Sequence, residues 1–101
     1  MMVAQVISFQ LQAGKLDELI HIAANSLIPL MQQQPGCRLI TMLSDSAAHR
    51  VLAIGLWESM TDLQNNEQSR IFQEQFARVQ QLCARPPARD LYEVCLQSAP
   101  I

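Results

Sequence analysis

The sequence predicts an α+β fold of the split βαβ or ferredoxin-like type, a sandwich in which a four-stranded antiparallel sheet carries both helices on one face. The main observation is the order of its apolar patterns, which follow one another as strand, helix, strand, strand, helix, strand. The two middle strands are joined by a short polar connection, which is typical of an antiparallel hairpin. The length of 101 residues favours a single domain, residues 1–101, and half of the residues are apolar and can form a core.

The first strand and the first helix are separated by a tight break that contains a glycine. Val3 to Gln12 alternates as a strand, and Gln5 interrupts its apolar row. We expect Gln5 to reach water at the strand end, and burial beneath that row is the alternative. Apolar residues at helical spacing then run from Leu16 to Met31, where Pro29 predicts a kink or a break with the helix restarting near Ser26.

The central strand runs from Val51 to Ser59, and Cys37 to Leu43 forms its hairpin partner. The central strand is apolar on both of its alternating rows of side chains, so it needs to be covered on both faces. One row passes through Ala53 and Gly55, which remove side-chain volume, before it reaches Trp57, the single tryptophan. This pattern predicts a hollow beside a large aromatic residue. Two interpretations stay open: Trp57 borders a ligand pocket, or its indole fills the hollow as ordinary core.

The second half of the chain contains a helical region and a closing strand. Ser59 and Asp62 form a capping pattern at the start of a short helix. The polar run from Asn65 to Ser69 is predicted to interrupt this helix, and a second segment follows with apolar residues at helical spacing from Phe72 to Cys83. Two consecutive prolines then stop the helix, and the last strand is predicted from Arg89 to Gln97.

A sheet with both helices on one face leaves its other face bare. Because the central strand and its hairpin partner carry apolar residues on both rows, a monomer would expose a large apolar patch. A second copy of the chain is the simplest cover for this patch, so the sequence predicts a homodimer.

Composition and charge argue against several classes of function. Seven basic and nine acidic residues are scattered along the chain, and a net charge of -2 offers no patch for nucleic acid or for an anionic membrane. We find no targeting segment and no apolar run long enough to span a membrane, and we therefore expect a cytoplasmic protein. Cys37, Cys83 and Cys95 lack the close paired spacing of a metal site or a redox dithiol, which predicts buried free thiols and no bound metal.

Several short segments, spread over nearly the whole chain, match a known family in residues and spacing. They are Phe9 with Gly14-Lys15 around the first strand end, Gln34-Pro35-Gly36-Cys37 at the first helix exit, Trp57-Glu58-Ser59 at the third strand exit, Phe72 in the following helix, and Tyr92 with Val94 in the closing strand. Together they resemble the antibiotic biosynthesis monooxygenase family, small dimeric α/β barrels that include quinol monooxygenases and haem-degrading enzymes. The combination is more specific for the fold than for the reaction.

The resemblance implies a homodimer whose sheets face each other, with one pocket per subunit between sheet and helices. Cofactor-independent members oxidise aromatic phenols or quinols with molecular oxygen, so no cofactor is expected, and Trp57 matches the family's pocket tryptophan. Haem-degrading members carry an asparagine on the first strand, where this chain has Ile7, and a histidine on the second helical segment, where it has none between Arg50 and its end. Haem degradation is therefore the less favoured interpretation.

Two functions from different classes are consistent with these observations. The favoured one is a monooxygenase that uses neither metal nor flavin, orients a small aromatic phenol or quinol, and excludes water from it. The predicted pocket residues are Trp57 as the wall, Phe9, Phe72 and Phe76 as the lining, and Arg78 or Gln5 as polar contacts, with no catalytic residue assigned. The alternative is a non-catalytic dimeric module that binds a small apolar ligand or a partner, which the scarcity of acid and base residues in this set favours.

Overall fold

The computed structural model describes residues 1–99 and confirms the predicted α+β, ferredoxin-like architecture. The strands are β1 (Val3–Gln10), β2 (Cys37–Asp45), β3 (Arg50–Trp57) and β4 (Ala88–Glu93). The helical segments are α1 (Leu16–Ile22), a π-helical turn (Ala23–Leu27), α2 (Ile28–Gln32), α3 (Met60–Gln68) and α4 (Arg70–Gln80). Neighbouring strands pair antiparallel in the order β2-β3-β1-β4, so β3 and β1 are the central strands.

The first helical region changes its winding just ahead of Pro29. Proline has no backbone N–H to donate to the carbonyl four residues earlier, and its ring clashes with that carbonyl. The preceding turn, Ala23–Leu27, is π-helical, and the N–H of Ile28 donates to the carbonyl of Ala23, five residues back. The α-helix restarts at Ile28. A break with a restart near Ser26, one of the two predicted forms, is wrong, because the helical region is continuous and Ser26 lies inside the wider turn just ahead of Pro29.

The second helical region is divided at one residue, Ser69. The predicted interruption from Asn65 to Ser69 is wrong in extent, since α3 continues through Gln68. Ser69 has an extended backbone, and its Oγ accepts a 3.2 Å hydrogen bond from the N–H of Phe72, which caps α4. At the start of α3, Ser59 Oγ accepts a 3.1 Å hydrogen bond from the N–H of Asp62, as the capping pattern predicts.

The core lies between the helices and one face of the sheet. Its larger cluster of buried residues comprises Ile7, Phe9, Leu11, Leu19, Ile22, Leu27, Val51, Phe72, Phe76, Val79 and Leu82. A smaller cluster comprises Val3, Trp57 and Leu63, with Met31 and Cys37 packed against it. The helical layer therefore buries the inward rows of β1 and β3.

The opposite face of the sheet, which we call the outer face, is apolar and uncovered in a single chain. Leu39, Leu43 and Leu52 are 50%, 52% and 39% exposed there. Leu39 pairs with Leu56, and Leu43 pairs with Leu52, so these side chains form a continuous surface across β2 and β3. This is the face on which the homodimer prediction depends.

The closing strand is shorter than the sequence pattern indicates. β4 ends at Glu93, which pairs with Val3, the first residue of β1. One backbone hydrogen bond continues past this pair, from the N–H of Val94 to the carbonyl of Met2 at 2.9 Å, and the chain then leaves the sheet. The prediction of a strand to Gln97 is therefore wrong. Cys95 consequently lies after the strand and is exposed, which contradicts its predicted burial, whereas Cys37 and Cys83 are partly buried.

Among the glycines, Gly36 is the one where we expect substitution by alanine to destabilise the fold most. It lies in the connection from α2 to β2. Its φ of +83° disfavours any residue with a Cβ, and a Cβ built there would overlap the Asp62 carboxylate. We expect Gly36→Ala to lower the free energy of unfolding by more than about 2 kcal/mol in urea denaturation. Gly14→Ala is the matched control, because Gly14 has a φ of +79° and open space around its Cβ position. It should cost only the backbone contribution of about 1 kcal/mol, and equal losses in the two variants would contradict the predicted collision.

Candidate ligand-binding site

A cavity of about 50 Å³ lies between the inward face of the sheet and the helical layer. Its walls come from β1, β2, β3, α1, the π-helical turn, α2 and α4. The lining residues are Gln5, Ile7, Phe9, Leu19, Ala23, Leu27, Ile28, Met31, Ile40, Met42, Ala53, Ile54, Gly55, Phe72, Phe76 and Val79. The lining is apolar except for Gln5, and it includes four of the six residues that the sequence assigns to a pocket.

Three phenylalanines form the aromatic wall of the cavity. The Phe72 and Phe76 rings, one turn apart on α4, stack with centroids 5.7 Å apart and an interplanar angle of 21°. Phe9 on β1 meets Phe76 at a centroid distance of 6.0 Å with the rings tilted by 52°. These contacts hold the rings in place, and they provide a surface on which a flat aromatic ligand can stack.

Gln5 is the polar side chain of the cavity wall, and it is buried, with only 4% of its surface exposed. The expectation that it reaches water at the strand end is wrong, because Gln5 lies within β1, where it pairs with Gly55 of β3 and Leu91 of β4. Its amide Nε2 donates a 2.7 Å hydrogen bond to Glu67 Oε1 on α3. This partner, 62 residues away in sequence, compensates the burial of the amide.

Arg89, rather than Arg78, is the arginine next to the cavity wall. Arg89 Nη1 donates a 3.2 Å hydrogen bond to Glu67 Oε2, and its guanidinium lies 4.7 Å from the centroid of the Phe76 ring. Arg78 is exposed on α4, donates a 2.7 Å hydrogen bond to Gln75 Oε1, and does not line the cavity. Helical spacing places Arg78 beside the apolar stripe but does not reveal that β4 brings Arg89 over the same ring.

Trp57 lies next to the cavity but is not part of its lining. The side chain is completely buried and packs with Val3 and Leu63. Its Nε1 is 3.1 Å from the position that a Cβ on Gly55 would occupy, and Gly55 itself lines the cavity. The indole therefore fills the space over Gly55, and the cavity begins beyond it.

No titratable side chain lines this cavity within residues 1–99. His21 and His49 are both exposed. Partial burial raises the pKa of the Cys37 and Cys83 thiols, which lowers their thiolate fraction at neutral pH. No group of three His, Cys, Asp or Glu residues in the described part of the chain is arranged to hold a metal ion.

The fold and the cavity together define a ferredoxin-like α+β domain with a candidate small-molecule site between its sheet and helices. The model of the antibiotic biosynthesis monooxygenase family matches residues 2–78, and the chain belongs to this family. The comparison with curated proteins gave no match. None of the helices in residues 1–99 is long and apolar enough to cross a membrane.

Solved structures similar to this chain cover nearly all of it at low identity. Rv0793 from Mycobacterium tuberculosis is 17% identical, with a TM-score of 0.84 over 98% of this chain and 100% of that one. A point mutant of SnoaB, a cofactor-independent oxygenase from Streptomyces nogalater, is 18% identical, with a TM-score of 0.83 over 99% and 98% of the two chains. A conserved protein from Methanosarcina mazei Go1 is 16% identical, with a TM-score of 0.82 over 90% of each chain. Identities this low show a shared fold and leave the substrate to be argued from the site.

Proposed function

We infer that this protein is a cofactor-independent monooxygenase that oxidises a small aromatic phenol or quinol in the cavity between sheet and helices. The observation that supports this inference is the set of residues that line the cavity, in a chain that belongs to this family. Three phenylalanines offer stacking surfaces, the other lining residues except Gln5 are apolar, and Gln5 supplies a polar contact. Such a site suits a flat, weakly polar molecule better than a charged one.

The cavity has to enlarge before an aromatic ring can enter. Its volume of about 50 Å³ is roughly a third of the volume of an apolar cavity that accepts benzene. Met31 and Met42 line it from α2 and β2, and their unbranched side chains can adopt other rotamers at low cost. The π-helical turn forms part of the same wall, and such turns recur at functional sites.

The reaction that fits this site needs only the phenol and molecular oxygen. A ring carbon para to the hydroxyl exchanges its C–H bond for a C=O bond with one oxygen atom. The other oxygen atom leaves as water with that hydrogen and the hydroxyl hydrogen, so that phenol and O₂ give quinone and H₂O. The substrate supplies the electrons that reduce oxygen. The protein orients the ring and excludes water, which is consistent with a lining that contains no acid or base.

Oxygen uptake by metal-free and flavin-free protein tests this function. With a panel of phenols and quinols, we expect uptake that saturates with substrate and produces the quinone in equal amount. Ala53→Leu places additional volume in the cavity and should lower kcat/KM at least about tenfold, since Ala53 lines it. Arg78→Ala is the control, because Arg78 is exposed and outside the lining, and its kcat/KM should be unchanged. Saturable binding without oxygen uptake across the panel would contradict the enzymatic function.

A non-catalytic binding module is the second candidate. The observation that favours it is the lack of titratable residues in the lining across residues 1–99, since most enzymes place an acid or a base within reach of the reacting atoms. In that case aromatic ligands quench the fluorescence of Trp57, the single tryptophan, and are released unchanged.

We propose a homodimer that forms through the outer face, and it is compatible with both candidate functions. Leu39, Leu43 and Leu52 form an exposed apolar surface on β2 and β3 that the helices of the same chain cannot cover. A symmetric pairing of two such faces buries both surfaces at once. A second copy is therefore the occupant that we propose for this face.

A further inference from the structure

The side-chain amide of Gln5 has a donor end and an acceptor end, Nε2 and Oε1. Gln5 lines the cavity, and the residues that line it with Gln5 are apolar, so they do not decide which end faces a ligand. A cavity-facing Nε2 would bind acceptors, whereas a cavity-facing Oε1 would bind donors. The partner of Gln5 outside the lining therefore determines which ligand groups the cavity can bind.

Glu67 fixes the orientation of the Gln5 amide. Its carboxylate only accepts hydrogen bonds, so the Nε2 end has to face it, and Nε2 donates to Glu67 Oε1 at 2.7 Å. The oxygen and nitrogen of a planar amide point in different directions from their shared carbon, so Oε1 is turned away from Glu67. Oε1 has no hydrogen bond within residues 1–99, and it is not among the completely enclosed polar atoms that lack a partner. An accessible acceptor is thus left on a side chain that is only 4% exposed.

Arg89 occupies the other oxygen of the Glu67 carboxylate. Arg89 Nη1 donates a 3.2 Å hydrogen bond to Glu67 Oε2, while Gln5 donates to Oε1. A guanidinium only donates and stays protonated, so the atom of residue 67 that faces Arg89 has to be an acceptor. Glu67 therefore receives a hydrogen bond from each side, and this arrangement keeps the Gln5 amide from turning around.

The same polar cluster borders the aromatic wall of the cavity. The Arg89 guanidinium lies 4.7 Å from the centroid of the Phe76 ring, and Phe76 lines the cavity together with Gln5. A ring that stacks on the phenylalanines therefore lies in the space that the Gln5 amide borders.

We propose that Gln5 selects aromatic ligands that donate a hydrogen bond, because Glu67 and Arg89 hold its Oε1 toward the cavity as an acceptor. A phenol or quinol hydroxyl donates to this oxygen. An ether or carbonyl oxygen would meet it acceptor to acceptor, which is unfavourable. Glu67 and Arg89 are positioning residues that act through Gln5. The proposal rests on the proposed function, because it names the contact that favours a hydroxyl-bearing substrate over its quinone product.

Glu67→Gln is expected to reverse the Gln5 amide. Arg89 still requires an acceptor, so the new amide turns its oxygen to Arg89 and its NH₂ group to Gln5. Gln5 then has to turn Oε1 toward residue 67, and its Nε2 faces the cavity as a donor. Phenol and anisole are the probes, because the oxygen of each accepts a hydrogen bond and only phenol donates one.

The quantity to measure is the ratio of the anisole to the phenol dissociation constant. The methyl signals of Met31 and Met42, which line the cavity, report binding in NMR titrations carried out without oxygen. The additional methyl group of anisole affects all variants alike, so its cost cancels when their ratios are compared. We expect Glu67→Gln to lower the ratio about 3- to 10-fold, the usual contribution of one hydrogen bond. The change should come from tighter binding of anisole, since phenol exchanges a donated hydrogen bond for an accepted one.

Glu74→Gln is the matched control. It makes the same exchange on α4, where Glu74 Oε1 accepts a 3.1 Å hydrogen bond from Arg70 Nε on the exposed surface, and it should keep the wild-type ratio. If Glu67→Gln does not fold, Gln5→Met removes the amide from an unbranched side chain of similar length. Its ratio should also fall, in this case through weaker binding of phenol.

The outcomes separate this specificity from the enzymatic function. An unchanged ratio in Glu67→Gln, or a lower ratio caused by weaker binding of phenol, would overturn the proposal and leave the oxygen-uptake test unaffected. An unchanged ratio in Gln5→Met would overturn it as well. The expected ratios without oxygen uptake would support the acceptor role of Gln5 in a non-catalytic binding module. Failure of both probes to bind would overturn the proposal together with the cavity as a ligand site.

Discussion

Trp57→Ala is expected to lower the free energy of unfolding by about 3 to 5 kcal/mol, the largest loss that we predict for a single side chain. Trp57 has no exposed surface and joins Val3 on β1 to Leu63 on α3. Removing the indole leaves a void between sheet and helix next to the existing cavity, which the neighbouring backbone cannot close. Chemical denaturation followed by circular dichroism measures this loss, at one fixed protein concentration so that association contributes equally.

Trp57→Phe is the matched control for this prediction. It keeps a ring in contact with Val3 and Leu63 and removes the indole N–H, which has no protein partner within residues 1–99. Its loss of stability should therefore be clearly smaller than that of the alanine variant. A cost below about 1 kcal/mol for Trp57→Ala would show that the indole is not the packing link between α3 and the sheet.

Leu52→Asp is expected to weaken the homodimer by more than about 100-fold, because it buries an unpaired charge in the proposed interface. Leu52 lies on the central strand β3 and is 39% exposed on the outer face of a single chain. Light scattering of the wild type at micromolar concentration should give twice the chain mass of 11.4 kDa, and the variant should give the mass of one chain.

Ile71→Asp provides the control for the interface prediction. Ile71 is an apolar residue that is 57% exposed on α4, away from the outer face of the sheet. Its substitution introduces the same charge and should leave the mass at two chains. A wild type that stays monomeric at micromolar concentration, or a Leu52→Asp variant that stays dimeric, would contradict the proposed interface.

The arrangement of strands and helices could be predicted because it depends on local patterns. The two apolar rows of β3 require cover on both faces wherever the strand is placed, and proline acts on its own helix through a missing N–H. Two further features, the wider turn before Pro29 and the helix cap at Ser59, depend only on hydrogen bonds between residues no more than five positions apart. The strand beyond Glu93 was predicted wrongly because pairing depends on where β1 begins, and the closing segment does not contain that information.

The candidate site could be predicted in its aromatic wall and in Gln5, whereas Trp57 and Arg78 do not line it. Phe9, Phe72 and Phe76 follow strand and helix periodicity, and all three line the cavity. Outside the cavity lining, the burial of Asn66 was not predicted, because the polar run around it was interpreted as an interruption of the helix. Its spacing of three residues from Leu63 is the signal that places both on the buried side of α3.

By itself, the sequence determined the fold class, the central position of β3 and the aromatic wall, since each follows from the periodicity of apolar side chains along one segment. It left open whether Trp57 is ordinary core or the wall of a pocket. Only the tertiary structure decided which polar groups meet. It set Gln5 against Glu67, brought Arg89 rather than Arg78 to Phe76, and buried Asn66 completely. The physical reason is that hydrogen bonds and ring contacts form over a few ångströms between residues far apart in the chain, so strand register and helix placement have to be in place first.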